Sequence, residues 1–184
     1  NTVNINWKVG EYQTIIWDVA NTNNSPVNAK IVNIKLSTDN GITYPVTLAS
    51  GVPNNGKYCI QVPNNVTTNA RIRVEAADNV FFDISNTKFN IAQPTPSVSL
   101  CLALAKDYAC LPANYATQIS TVALSGFSDP ITLTATGLPV GATATFDPNP
   151  VQPGNSATMT VSFPDNSPEN TFDVTVLGNA GTSS

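Results

Sequence analysis

The stretch Ile131-Thr132-Leu133-Thr134-Ala135-Thr136-Gly137-Leu138-Pro139-Val140-Gly141-Ala142-Thr143-Ala144-Thr145-Phe146 decides the fold class. Ile131, Leu133 and Ala135 alternate with threonines, and a period of two places them on one face of an extended strand. Ala142, Ala144 and Phe146 repeat the pattern after a segment whose two glycines and one proline are turn chemistry. Two half-buried strands joined by a turn predict an all-β protein.

The same rhythm extends in both directions. Downstream come Ala157, Met159, Val161 and Phe163, then Phe172, Val174 and Val176, separated by Pro153-Gly154-Asn155 and Pro164-Asp165-Asn166-Ser167-Pro168. Upstream, Val98, Leu100, Leu102 and Leu104 alternate. Nearer the start, Ile15, Trp17 and Val19 share a face, as do Ile60 with Val62 and Ile72, Val74 with Ala76; Val80-Phe81-Phe82-Asp83-Ile84 and Phe89-Asn90-Ile91 add two more strands. Proline, glycine and asparagine recur too often for a long helix.

In Ile91-Ala92-Gln93-Pro94-Thr95-Pro96 the alternation stops and two prolines hold the chain extended. The expected organisation is one sandwich over 1–92, a linker over 93–96 and a second sandwich over 97–184. At 184 residues the chain suits two such domains of ordinary size. A sandwich of this type usually has about seven strands. After Leu177 only Gly178-Asn179-Ala180-Gly181-Thr182-Ser183-Ser184 follows, with the composition of a turn. The second sandwich is therefore expected to lack its last strand and to leave an unpaired edge.

Only 11% of residues are charged, against 41% hydrophobic. The net charge of −4 divides unevenly, +1 up to Ala92 and −5 from Gln93 onward. Neither half has a clustered basic footprint, so nucleic acid is not an expected partner. No apolar run approaches the roughly 18 residues that cross a bilayer. The start, Asn1-Thr2-Val3-Asn4, lacks the basic-then-apolar order of a signal peptide, so a secreted protein is expected to be represented here by a mature or excised piece. Of the three cysteines, Cys101 and Cys110 lie close enough in sequence for a bridge within one domain, the alternative being three free thiols; Cys59 has no local partner.

Several segments together resemble a known family. Trp7-Lys8-Val9-Gly10, Thr14-Ile15-Ile16-Trp17-Asp18-Val19, Ser37-Thr38-Asp39-Asn40-Gly41 and Phe81-Phe82-Asp83-Ile84-Ser85 look like an accessory domain that follows the catalytic domain of secreted bacterial reprolysin-like zinc metallopeptidases. Gly126-Phe127-Ser128-Asp129-Pro130-Ile131-Thr132-Leu133 and Gly137-Leu138-Pro139-Val140-Gly141-Ala142, leading into Phe146-Asp147-Pro148-Asn149-Pro150-Val151, are similar to bacterial immunoglobulin-like repeats of such exoproteins. The resemblance implies two tandem immunoglobulin-like or fibronectin-III-like sandwiches, a bacterial secreted or cell-surface location, and the catalytic and other domains of a parent chain as partners. The family's zinc signature, His-Glu-x-x-His with a later histidine, cannot be carried over, because the chain contains no histidine.

Lack of histidine also removes the usual base for a serine or cysteine nucleophile. A carboxylate pair needs two acids about 5 to 10 Å apart in one cleft, but most of the twelve acids stand at turns, where capping the backbone explains them. Ser37-Thr38-Asp39-Asn40-Gly41-Ile42-Thr43-Tyr44 fits the Ser-x-Asp-x-Gly-x-Thr-aromatic pattern of an Asp-box. In that hairpin device Asp39 ties the backbone, Gly41 takes a conformation other residues avoid, and Tyr44 packs beneath. Trp7, near Tyr12, suits either a sugar-stacking platform or packing at the sandwich edge, the second being the commoner fate of a scattered aromatic. Asp78, Asn79 and Asp83 offer oxygens to calcium, without a defined loop spacing; strand-end solvation is the alternative, and no other cofactor is expected. Asn23-Asn24-Ser25 and Asn65-Val66-Thr67 match the N-glycosylation pattern. The chain is thus expected to be a non-catalytic accessory pair from a multidomain protein, a peptidase on the resemblance, with a carbohydrate- or protein-binding module as the alternative.

Overall fold

The computed structural model describes residues 5–103, 114–165, 167 and 170–180. These residues form strands and turns without a helix, so the protein is all-β. No helix among them is long and apolar enough to cross a membrane. The chain divides into two compact units, Asn1–Thr95 and Pro96–Ser184.

Unit 1 contains β1 (Asn6–Lys8), β2 (Tyr12–Ile16), β3 (Ile31–Ser37), β4 (Val46–Pro53), β5 (Lys57–Gln61), β6 (Thr67–Ala76), β7 (Phe82–Ile84) and β8 (Phe89–Ala92). One sheet runs β1-β8-β6-β3-β4, with β7 also paired to β6, and a second sheet is the pair β2-β5. Strand β1 lies parallel to β8, with Trp7 opposite Ile91, and the other pairings are antiparallel. Alternation along β6 turns Ala70, Ile72, Val74 and Ala76 inward and Arg71, Arg73 and Glu75 outward. The inward residues join Ile34 and Leu36 of β3, Ile15 of β2, Ile60 of β5 and Phe89 and Ile91 of β8 in one core shared by both sheets. The strand expected over 80–84 is shorter than its apolar run: Val80 is almost wholly exposed, and pairing with β6 spans Phe82 to Ile84.

Unit 2 contains β9 (Ser97–Ala103), β10 (Asn114–Leu124), β11 (Ile131–Thr136), β12 (Thr143–Asp147), β13 (Ser156–Ser162) and β14 (Thr175–Ala180). One sheet has the order β12-β13-β10-β9 and the other is β11-β14. Ile119, Ile131, Leu133, Val151, Ala157, Met159 and Val161 are the buried centre. Alternation leaves β10 hard to recognise in sequence, because buried Thr117 and Thr121 occupy inward positions.

The tail is a correction. Gly178, Asn179 and Ala180 belong to β14 and pair with Leu133, Thr132 and Ile131, whereas their composition reads as a turn. A Cβ on Gly178 would stand 3.0 Å from Ile131 Cγ2 and 3.1 Å from a Leu100 methyl, so this glycine marks close packing. Residues 181–184 and Leu104 lie outside the described residues.

Candidate functional site

The segment between β3 and β4 is closed by its own side chains. The Ser37 hydroxyl, fully buried, donates to Asp39 Oδ1 at 2.6 Å and accepts from the Gly41 amide at 2.8 Å. Asp39 in turn accepts from the Thr43 amide at 3.0 and 3.1 Å and from the Thr43 hydroxyl at 2.6 Å. Bonds from Ser37 and then Thr43 favour the carboxylate and lower the Asp39 pKa to about 2. Asn40 and Gly41 have φ of +62° and +89°, the left-handed region that asparagine tolerates and glycine prefers. Gly41 also leaves room beneath it: a Cβ there would lie 3.1 Å from both the Tyr44 hydroxyl and Arg71 Cδ.

Tyr44 connects this turn to the outer face of β6. The Arg73 guanidinium lies 4.4 Å from the Tyr44 ring centroid and 5.7 Å from that of Phe82. Glu75 bridges Arg73 at 2.7 Å and Lys35 at 2.6 Å. Arg71 donates to Asn40 Oδ1 at 3.0 Å and to the Ser85 carbonyl at 3.0 Å. Burial pushes the Tyr44 pKa up, against the opposing pull of Arg73 and Arg71. Every cation in this row is engaged with the protein itself.

A second network lies at one end of the core. Trp17, one residue beyond β2, donates from Nε1 to Asn54 Oδ1 at 2.8 Å. Asn54 Nδ2 donates to the Ala29 carbonyl and to Thr22 Oγ1, both at 3.0 Å. Beside it opens a cleft of about 290 Å³, walled by Trp17, Val74, Phe81 and Phe82 and bordered by Asp18 and Asp83. Phe82 is 58% exposed, which makes it the accessible aromatic of this cleft. Sequence reasoning missed Asn54, because nothing in Pro53-Asn54-Asn55-Gly56 distinguishes a buried asparagine from a turn residue.

Unit 2 uses two further polar residues in the same manner. Asn149 accepts the Leu133 amide at 2.8 Å and donates to the Leu133 carbonyl at 3.0 Å, imitating a strand partner. Thr121, buried in β10, donates to the Asn155 carbonyl at 2.8 Å and accepts from the Gly154 amide at 3.0 Å, closing the turn before β13.

The remaining sequence candidates are scattered. Trp7 is 7% exposed and its ring packs 4.3 Å from that of Phe89, so the sugar-stacking reading of Trp7 is corrected: its faces are occupied by core. Asp78, Asn79 and Asp83 are exposed, and Asn79 Oδ1 accepts from the amide of Val80 at 2.8 Å. Among the described residues no group of three or more histidine, cysteine, aspartate or glutamate side chains is placed to hold a metal ion. Cys59 in β5 and Cys101 in β9 are both disulfide-bonded, which excludes three free thiols. Cys110, the other half of the pairing expected for Cys101, lies outside the described residues. Asn65 is half-buried in the turn between β5 and β6, and Asn23 lies in the connection between β2 and β3.

No family model matches the sequence. No curated protein matches it either. Among solved structures, the chain is similar to one titled "Structure of surface layer protein SbsC, domains 1-6", at 11% identity and a TM-score of 0.35. The alignment covers 86% of this chain and 19% of that one, so the chain spans about a fifth of the matched protein's length.

Proposed function

We propose that the chain is a tandem pair of immunoglobulin-like or fibronectin-III-like β-sandwiches serving as a non-catalytic structural module of a secreted or cell-surface bacterial protein. Strand order supports the fold-level part. An immunoglobulin constant-type sandwich sets strands A, B, E and D in one sheet and C, F and G in the other. In chain order, β9-β10-β13-β12 takes the A-B-E-D places and β11-β14 takes C and F. In unit 1, β2-β5 takes B and E, while β3, β6 and β8 stand as neighbours in the C, F and G places.

The observation that carries the functional reading is the direction of the polar side chains. Asp39, Asn54, Thr121 and Asn149 all bond to turns or strand ends of their own unit. Such groups maintain a shape and a spacing, the task of an accessory module beside a catalytic domain. That the parent is a peptidase rests on the sequence resemblance alone.

A binding module is the second reading, favoured by the cleft at Trp17 and Phe82. Aromatic walls with two carboxylates at the rim suit a small polar ligand such as a sugar. Glycan-array binding by the wild type and Phe82→Ala separates the two. The structural reading predicts no reproducible binding up to about 1 mM; saturable binding lost in Phe82→Ala would replace it with the second.

A further inference from the structure

The hydrogen-bonding direction of β14 follows from its neighbour. Ile131 exchanges both backbone bonds with Val151, at 2.8 and 2.9 Å, and Leu133 exchanges both with the Asn149 side chain. The amides and carbonyls of Ile131 and Leu133 therefore point away from β14. Those of Thr132, Thr134 and Thr136 point toward it, and meet Asn179, Leu177 and Thr175 in the antiparallel register. By the same alternation Val176, Gly178 and Ala180 direct their backbone groups outward, where no strand among the described residues pairs with them.

Two further features mark this edge. Its inner face is incompletely covered: Val176, Gly178 and Ala180 are half-buried, whereas Ile131 and Leu133 across the ladder are 0% and 2% exposed. Gly178 approaches Leu100 of β9, so the edge strands of both sheets lie on this side of the core, where Val98, Leu100 and Leu102 are also half-buried. The edge also lacks the usual protections. Thr175-Val176-Leu177-Gly178-Asn179-Ala180 contains no charge and no proline, and its ladder has no bulge.

We propose that this edge pairs with the same edge of a second copy of the chain. An antiparallel β14–β14 seam centred on Gly178 sets Val176 opposite Ala180 of the other copy, with outward amides and carbonyls meeting on both. The result is a continuous four-stranded sheet with β11 at each end. A two-fold seam is self-complementary, and nothing in 175–180 opposes like charges across it. The net negative charge of unit 2 lies outside the strand, so raising the salt concentration should strengthen pairing.

Analytical ultracentrifugation of the whole chain from about 1 to 300 µM, a range spanning moderate to weak affinities, tests the seam. Val176→Pro removes an outward amide without touching the bonds to β11, and Leu177→Lys places a charge on a side chain that is 47% exposed. Thr143→Lys, on the outer strand of the other sheet, is the control. The expected result is a monomer–dimer equilibrium weakened at least tenfold in both β14 variants and unchanged in Thr143→Lys, with thermal melts showing that all remain folded. A wild type that stays monomeric at every concentration, or a dimer that folded Val176→Pro and Leu177→Lys leave intact, overturns the proposal.

Discussion

The indole Nε1 of Trp17 and the side-chain oxygen of Asn54 are joined by a buried 2.8 Å hydrogen bond across 37 positions of sequence. Asn54 is only 4% exposed and also holds the Ala29 carbonyl. Replacing it with an apolar residue leaves a buried donor and a buried acceptor unmatched, at about 1–3 kcal/mol each. Asn54→Leu should therefore destabilise unit 1 by about 2 kcal/mol or more, read from urea unfolding followed by tryptophan emission. An unchanged midpoint would mean that water replaces the asparagine without loss.

Asp39 makes the turn between β3 and β4 sensitive to acid. Its folded pKa of about 2 lies below the ordinary 3.8, so its contribution is complete above about pH 4 and is lost as pH falls through about 2. A carboxyl-carbon NMR titration should place the Asp39 midpoint near 2, and Asp39→Asn should flatten the acid dependence of the Thr43 amide shift. A midpoint near 4 would contradict the bonding described.

Gly137, between β11 and β12, has φ of +82°, and a Cβ there would fall 2.1 Å from the backbone oxygen of Asp173. Backbone strain alone costs a non-glycine residue about 1–3 kcal/mol in such a conformation. Gly137→Ala should lower the unit 2 melting transition by at least that equivalent in calorimetry, and a silent substitution would show that this turn adopts another conformation.

Because Cys59 and Cys101 are both disulfide-bonded, alkylation of the denatured, unreduced chain should modify neither residue. After reduction both should react, and peptide mass mapping distinguishes the two states. Labelling of either before reduction would contradict the bonded state.

The legible parts of this protein are the local ones. Alternation at Ile131, Leu133 and Ala135 marks a strand because the period of two is a property of the extended chain itself. Ser37, Asp39, Gly41 and Thr43 bond to one another across at most four positions, so their order in sequence contains most of their geometry. The illegible parts are long-range. Asn54 acquires its role from Trp17 and Ala29, Asn149 from Leu133, and Trp7 its burial from Phe89. Composition also misleads where packing overrides it: Gly178 reads as a turn residue and is a strand residue, because Ile131 and Leu100 leave no space for a side chain.

Amide hydrogen exchange tests most directly whether the polar side chains of this protein hold its own turns. The amides of Gly41, Thr43, Leu133 and Gly154 are each bonded to a side-chain oxygen, of Ser37, Asp39, Asn149 and Thr121 respectively. All four should exchange at least about tenfold more slowly than unstructured amides, and Asp39→Ala and Asn149→Ala should release Thr43 and Leu133 individually. Exchange of these amides at unprotected rates in the wild-type chain would contradict the account.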